Sequence, residues 1–248
     1  MGLTVIILAK DDGVKLKKAV ESVRFAGEVI VVKEKFPVSD FSEVRNRALN
    51  QAKGEWVLFV DSDEEVSQKL KEEINNFINK NYNNYNISGI YLKRRDRFLG
   101  KWLKYGETSN VKLLRLAKKG AGRWERPVHE VWKIKGTTGE LRNLLKHYSH
   151  DSVEEMAEKL DRYSEMEAKW RLGGIGKLGK LGRLGIVIEM VLFPVGKFVQ
   201  NYIFRLGFLD GMEGFIHAGM MSGHSFLVRV KILDKVQEGK RKYKKVQK

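Results

Sequence analysis

An unbroken apolar run, Trp56-Val57-Leu58-Phe59-Val60, ends abruptly in Asp61-Ser62-Asp63-Glu64-Glu65. Its length and its β-branched and aromatic make-up are those of a strand buried on both faces, which implies layers above and below a sheet. Alternation along a strand points Asp61 and Asp63 the same way if the extended backbone persists through them. Two carboxylates roughly 5 Å apart repel by about 3 kcal/mol at an effective dielectric near 20. A divalent cation between them relieves that cost, and hard oxygen ligands suit Mg²⁺ or Mn²⁺, which usually hold substrate phosphates as well. The plainer reading is a polar strand-to-helix turn in which Asp63 or Ser67 caps the next helix.

The surrounding chain alternates strands and helices. Thr4–Ala9 reads as a strand, and Leu16, Ala19, Val20 and Val23 form the stripe of an amphipathic helix that Gly27 stops. Glu28–Val32 reads as a second strand, and Phe41–Lys53 as a helix ended by Gly54. After the acid-tipped strand comes a helix from about Ser67, with Leu70, Ile74, Phe77 and Ile78 on one face. This order predicts an α/β fold with a mostly parallel sheet covered on both sides. Ligands bind beyond the carboxyl ends of such strands, where Asp61 and Asp63 lie. Further strands are expected at Ile87–Lys93, Val111–Leu116 and Val131–Ile134, with a polar loop over residues 79–86. Ser152-Val153-Glu154-Glu155 is a capping box opening a helix to about Leu172.

The net charge of +16 is unevenly spread. From Arg171 onward there are 15 basic and five acidic residues, a net of +10. Such a tail reads as a surface for phosphates, either nucleic acid or anionic lipid. No zinc, helix-turn-helix or RNP-type motif accompanies it, so nucleic acid is not the expected partner. Glycines alternate with Lys177, Lys180 and Arg183 over residues 173–185, which reads as a flexible basic linker or a segment ordered on a surface. Leu184–Phe204 is apolar but broken by Glu189, Pro194 and Lys197, and Gly214–Val228 holds His217 and His224. Helices lying in a membrane interface fit these stretches better than spanning ones. An ordinary helical hairpin packed on the main domain is the alternative. The expected division is 1–150 for the α/β domain and 151–248 for a helical, basic, membrane-associating segment. Absence of cysteine excludes disulfides and thiol chemistry and fits a reducing compartment. No basic leader or cleavage site precedes the first strand, so no secretory signal is expected.

Around Asp61-Ser62-Asp63 further residues fall into a recognisable order. Asp40-Phe41-Ser42-Glu43-Val44-Arg45-Asn46-Arg47-Ala48-Leu49 and Ala52–Glu64 are followed by Lys112-Leu113-Leu114-Arg115-Leu116 and Arg126-Pro127-Val128-His129-Glu130. His147-Tyr148-Ser149, Lys159, Tyr163 and Tyr202–Gly211 complete the set. Taken together, the chain resembles the family 2 inverting glycosyltransferases, and within them the lipopolysaccharide-core β-glucosyltransferase type.

The resemblance implies a GT-A, Rossmann-like fold that moves a sugar from a nucleotide donor, of UDP type, to a lipid-linked or cell-envelope glycan acceptor. It implies a cytoplasmic protein, peripheral on the anionic inner face of the membrane. Asp61 and Asp63 would hold Mg²⁺ or Mn²⁺, and Ala9, Asp11, Arg45, Ser62, Lys112 and Arg115 would join them around the nucleotide sugar. Arg45 would reach the diphosphate, for which a guanidinium is suited. An inverting transfer needs one base opposite the leaving group. Glu130 is assigned as that base, with His129 orienting it or the acceptor, and the reverse assignment is the alternative. Trp124 could stack on an acceptor sugar, and His147 or His150 could add an acceptor, metal or phosphate contact.

One departure stands out. Family members carry an acidic segment, a helix and a further strand between the second strand and the Asp-Phe-Ser element. Here only Lys33–Ser39 intervene, and seven residues are too few for a parallel crossover. The sheet is expected to be one strand-helix unit short, with Glu34 or Asp11 as stand-ins for the missing acid. A degenerate, non-catalytic binding protein of the same fold is the alternative this departure raises.

Overall fold

The computed structural model describes residues 2–34, 38, 40–80, 86–126, 130–173 and 182–246. They form two compact units, Met1–Arg97 with Asn110–Ser149, and Phe98–Ser109 with His150–Lys248. The second unit begins in the main sequence at His150, and it also takes Phe98–Ser109, a segment the sequence reading assigned to the first domain.

Elements run in the order β1 (Leu3–Ala9), α1 (Val14–Ser22), β2 (Glu28–Lys33), α2 (Phe41–Gln51), β3 (Trp56–Asp61), β4 (Glu64–Val66), α3 (Gln68–Lys80), β5 (Ile87–Phe98) and β6 (Lys101–Trp102). There follow β7 (Lys112–Lys118), β8 (Gly122–Glu125), β9 (Val131–Ile134), β10 (Thr137–His150), α4 (Val153–Gly173), α5 (Gly182–Val199) and α6 (Gly211–Val246).

The main sheet has the strand order β2-β1-β3-β7-β5-β10-β4. β1 pairs in parallel with both β2 and β3, as the βαβ pattern requires. Beyond β3 the sheet turns mixed, because β7 joins β3 antiparallel and β5 joins β7 antiparallel. Alternate residues explain the unbroken apolar run. Val5, Ile7, Leu58 and Val60 pack with Leu16 and Ala19 of α1 and Leu70 and Ile74 of α3. Ile6, Val57 and Phe59 face the other way, onto Ala48 and Leu49 of α2 and onto Trp124 and Trp132. Both faces of β1 and β3 are therefore in core, which calls for apolar side chains at nearly every position; buried Thr4 is held by hydrogen bonds with Glu28 and the Gly54 amide. Gly54 fits because β3 starts hard against β1: a Cβ there would run into the Gly2 carbonyl.

β2 is the outer strand at this end of the sheet, and among the described residues α2 is the next element after it. That is the shortened sheet expected from the brief 33–39 connection. Asp40 caps α2 by accepting from the Ser42 and Glu43 amides. Because β2 and β3 lie on opposite sides of β1, the chain reverses direction at β1. The crevice at the carboxyl ends of β1 and β3 is thus a topological switch point, where open α/β sheets take their ligands.

In the second unit α4 packs on α6 through Ala168, Val228 and Ile232, and Phe98, Leu103 and Met156 form another apolar cluster. Ser152 Oγ accepts from the Glu155 amide, the first arm of the capping box, while Glu155 accepts from the Asp151 amide, one residue before the cap. The basic glycine-rich repeat at 174–181 lies outside the described residues.

Candidate active site

At the end of β3 extended backbone gives way to a turn over Ser62 and Asp63 before β4 begins. The alternation that would aim both aspartates together stops there, so the two carboxylates part company. This corrects the sequence expectation, and its cause is local. The Ser62 amide still bonds Leu8 O of β1, at 3.1 Å, while Asp63 O accepts from the Tyr148 amide of β10 at 2.8 Å. β4 then pairs antiparallel with β10, setting Glu64 opposite His147. Ser67, not Asp63, caps the following helix, accepting from the Leu70 amide at 3.3 Å.

Asp61 is gripped by two guanidinium groups. Arg45 Nη2 donates to Oδ1 at 2.7 Å and Arg115 Nη2 to Oδ2 at 2.5 Å. Burial opposes the charge on Asp61, but Arg115 and then Arg45 outweigh it and hold the carboxyl well below the usual carboxylate range. Glu64 braces the turn, its Oε2 accepting the Asp61 amide at 2.9 Å while Oε1 lies 3.4 Å from Arg115 and 3.6 Å from Arg94. Burial likewise opposes the Arg115 cation, and the Asp61, Glu64 and Glu130 charges outweigh it and raise its pKa. Glu130 therefore lies within electrostatic reach of this cluster.

Asp63 looks elsewhere. Its Oδ2 is 3.4 Å from His147 Nε2, and His147 Nδ1 is 2.9 Å from Asp96 Oδ1. Burial and the Arg94 charge disfavour imidazolium, yet Asp63 and Asp96 lift His147 to about 9, so it is charged at neutral pH. Arg94 Nε also reaches Asp96, at 3.0 Å. Asp61, Asp63, Glu64 and Asp96 thus face Arg45, Arg94, Arg115 and His147, four charges against four. Sequence reasoning missed Glu64, Arg94 and Asp96. A signal was present: Leu92, Arg94, Asp96 and Phe98 alternate along β5 and share its buried face, which placed an inward-facing ion pair in plain view.

A divalent ion would meet the two aspartates in different surroundings. At Asp61 it would meet a carboxylate whose two oxygens already accept from two guanidinium groups, and those two positive charges would repel it. Asp61 does not fit as a ligand. Asp63 does: its neighbour His147 can release its proton as a metal enters, and Mg²⁺-type sites commonly use one or two carboxylates completed by substrate phosphates. Among the described residues no group of three or more acidic, His or Cys side chains gathers to hold a metal alone.

Other expected site residues fall as follows. Ala9 ends β1 beside Lys33 of β2, and Asp11 accepts the Gly13 amide in the exposed turn beyond it. Glu34 is held by Arg47 at 2.5 Å. Arg45 is turned inward, its side chain 6% exposed and its guanidinium 4.7 Å from the Trp124 ring, so it acts on a ligand only through Asp61. Lys112 pairs with Glu140 at 2.6 Å on the surface of β7. Trp124 is 3% exposed, stacked on Trp132 at 5.3 Å and edge-on to Phe59, so no sugar can stack there. Its role is to back Arg45. His147 is buried behind Asp63 rather than open to an acceptor, and His150, in the second unit, packs edge-on against Phe98. His129 lies outside the described residues.

Residues 4–131 match the family model described as glycosyl transferase family 2, just over half of the chain. The chain belongs to glycosyl transferase family 2. It is a glycosyltransferase with a GT-A-like α/β fold. Similar proteins include an uncharacterized glycosyltransferase of Rickettsia bellii, 24% identical over 93% of this chain and 85% of that one. The lipopolysaccharide core biosynthesis glycosyltransferase LpsC of Rhizobium meliloti is 25% identical over 79% of this chain and 70% of its own. Among solved structures, S. aureus TarS 1-349 in complex with UDP is 12% identical, with a TM-score of 0.42 over 99% of this chain and 92% of that one.

Proposed function

We propose that this glycosyltransferase moves a sugar, with inversion, from a UDP-type nucleotide donor to a lipid-linked or cell-envelope glycan acceptor at the inner face of the cytoplasmic membrane. The observation that carries the reading is the charge cluster at the β1–β3 switch point, in a chain of this family. Support for the acceptor class is the likeness to a protein named for lipopolysaccharide core biosynthesis.

Asp63 is the residue to hold Mg²⁺ or Mn²⁺ against the donor diphosphate. Such an ion, when bound, supplies charge neutralisation for the departing diphosphate. His147, held by Asp96 from behind, fixes the orientation of the Asp63 carboxylate. Asp61 pins Arg45 and Arg115 so that their guanidinium groups stay fixed within the fold behind the diphosphate site, preorganised rather than free to move. Glu130 takes the proton of the acceptor hydroxyl as that oxygen attacks the anomeric carbon, opposite the departing nucleotide. A preassembled and internally balanced cluster costs little reorganisation during the transfer.

Release of UDP from a panel of UDP-sugars tests this, with Mn²⁺, with Mg²⁺ and with chelator, in the presence of lipid-linked acceptor extract. Metal-dependent release that Asp63→Ala and Glu130→Gln both abolish is the expected result, with a product anomer opposite to the donor's. Release equal in chelator, or absent with every donor, contradicts the proposal.

A further inference from the structure

The second unit carries its amphipathicity inverted. Val187, Ile188, Val191, Leu192 and Val195 of α5, at i, i+1, i+4, i+5 and i+8, form one stripe, and all are exposed, Leu192 by 63%. The charged side chains of α5 among its described residues turn the other way, into protein partners. Glu189 meets Arg229 of α6 at 3.5 Å, and Lys197 meets Glu107 at 2.5 Å. A helix facing water is built the opposite way, polar outside and apolar inside. More exposed apolar side chains follow in the turn to α6 and at its start, Phe204, Phe208, Leu209 and Met212, with Phe204 77% exposed. So many large apolar side chains left exposed along one helix and the turn after it mark an interaction face.

We propose that this face is seated in the interfacial region of a lipid bilayer, with α5 lying along the membrane plane. By length and composition Gly185–Phe204 is sufficient to cross a bilayer, and only 11% of that stretch is buried. Its anchoring argues for lying instead. Toward one end Glu189 holds Arg229; toward the other Lys197 and Asn201 Nδ2 hold Glu107. In the turn that follows, Asp210 accepts the amides of Lys104 and Tyr105 at 2.8–3.1 Å, and its carbonyl accepts from Lys101. Crossing would draw these polar groups into hydrocarbon, whereas an interfacial helix leaves them on the headgroup side. Charge selects the occupant. The chain from Arg171 onward is +10, which attracts anionic headgroups and repels a second copy brought face to face. The inference stands independently of donor and metal chemistry.

Flotation of the full chain with phosphatidylcholine vesicles, with and without added phosphatidylglycerol, tests it alongside Leu192→Glu and Phe204→Glu. Both side chains are exposed, so the variants are expected to keep the wild-type circular dichroism and urea midpoint. Wild type is expected to float with the mixed vesicles, more weakly but still measurably at high salt, and each variant to partition roughly thirty-fold less, the effect of losing one buried Leu-sized group. Because the chain has no cysteine, Ile188→Cys and Val195→Cys give single dye sites. Equal quenching depth at both is expected, whereas a crossing helix separates them by about 10 Å. Wild type that stays with neither vesicle type, variants that float equally, or binding abolished by salt overturns the proposal. So does a dimer that the variants split without any vesicle binding.

Discussion

Removing Asp61 should unfold the first unit more readily than any other single change at the cluster. In Asp61→Ala the side chains of Arg45 and Arg115, 6% and 7% exposed, lose their shared partner. Each pair at about 4 Å between charge centres is worth about 4 kcal/mol at an effective dielectric of 20. Part of the sum is offset because the carboxylate no longer has to be desolvated, and breaking a buried pair in this way typically costs about 3–5 kcal/mol. Asp63→Ala serves as the comparison, because His147 keeps Asp96 and can shed its proton, so a loss of about 1 kcal/mol is expected. Urea unfolding read by tryptophan emission reports chiefly on the right unit, since three of the five tryptophans, Trp56, Trp124 and Trp132, are buried within it. Asp61→Ala/Arg115→Met should recover part of the loss, giving a coupling of more than about 1 kcal/mol. Equal midpoints for Asp61→Ala and Asp63→Ala would refute the assignment of Asp61 as a structural hub.

Trp124→Ala should cost about 3–5 kcal/mol of stability through the cavity it leaves, measured by the same unfolding curves; a variant of wild-type stability with only a raised acceptor KM would restore the sugar-stacking role. Tyr148 is pushed up to about 12, by burial first and then by its hydrogen bond to Glu65. Its folded pKa lies above the unfolded value of about 10, so its contribution is complete below pH 10 and is lost as pH rises through 12. Phenolate absorbance should show one tyrosine titrating last, and Tyr148→Phe should remove it. Asp210→Ala should loosen the turn before α6 by leaving the Lys104 and Tyr105 amides unpaired, at about 1–3 kcal/mol, seen as faster hydrogen exchange there with β1 and β3 unaffected.

Much of this fold was legible because its early elements obey a single period each. β1, β2 and β3 are runs of apolar residues, and α1, α2 and α4 have stripes or caps that name their ends. β10 was missed because its inward positions Leu141, Asn143, Leu145, His147 and Ser149 are only partly apolar; the polar ones serve the site and its surroundings, erasing the alternation. β4 is three residues long and defined only by its pairing with β10, a long-range fact. The site itself was half legible. Asp61, Asp63, Arg45 and Arg115 do gather, but the expected sharing of one ion by the two aspartates fails, since a two-residue turn sends Asp61 to the arginines and Asp63 to His147. Trp124 shows the same gap: a tryptophan beside a strand reads alike whether it faces a ligand or a core, and only the Trp132 stack settles it.

Titration of UDP into the full chain by calorimetry, with Mn²⁺ and with chelator, for wild type and Asp63→Ala, probes the central claim most directly. Metal should tighten UDP binding to wild type by at least about tenfold, the factor set by 1.4 kcal/mol of added interaction, and leave Asp63→Ala unchanged from its metal-free affinity. Tightening of the same size in both proteins would place the ion elsewhere and contradict the account.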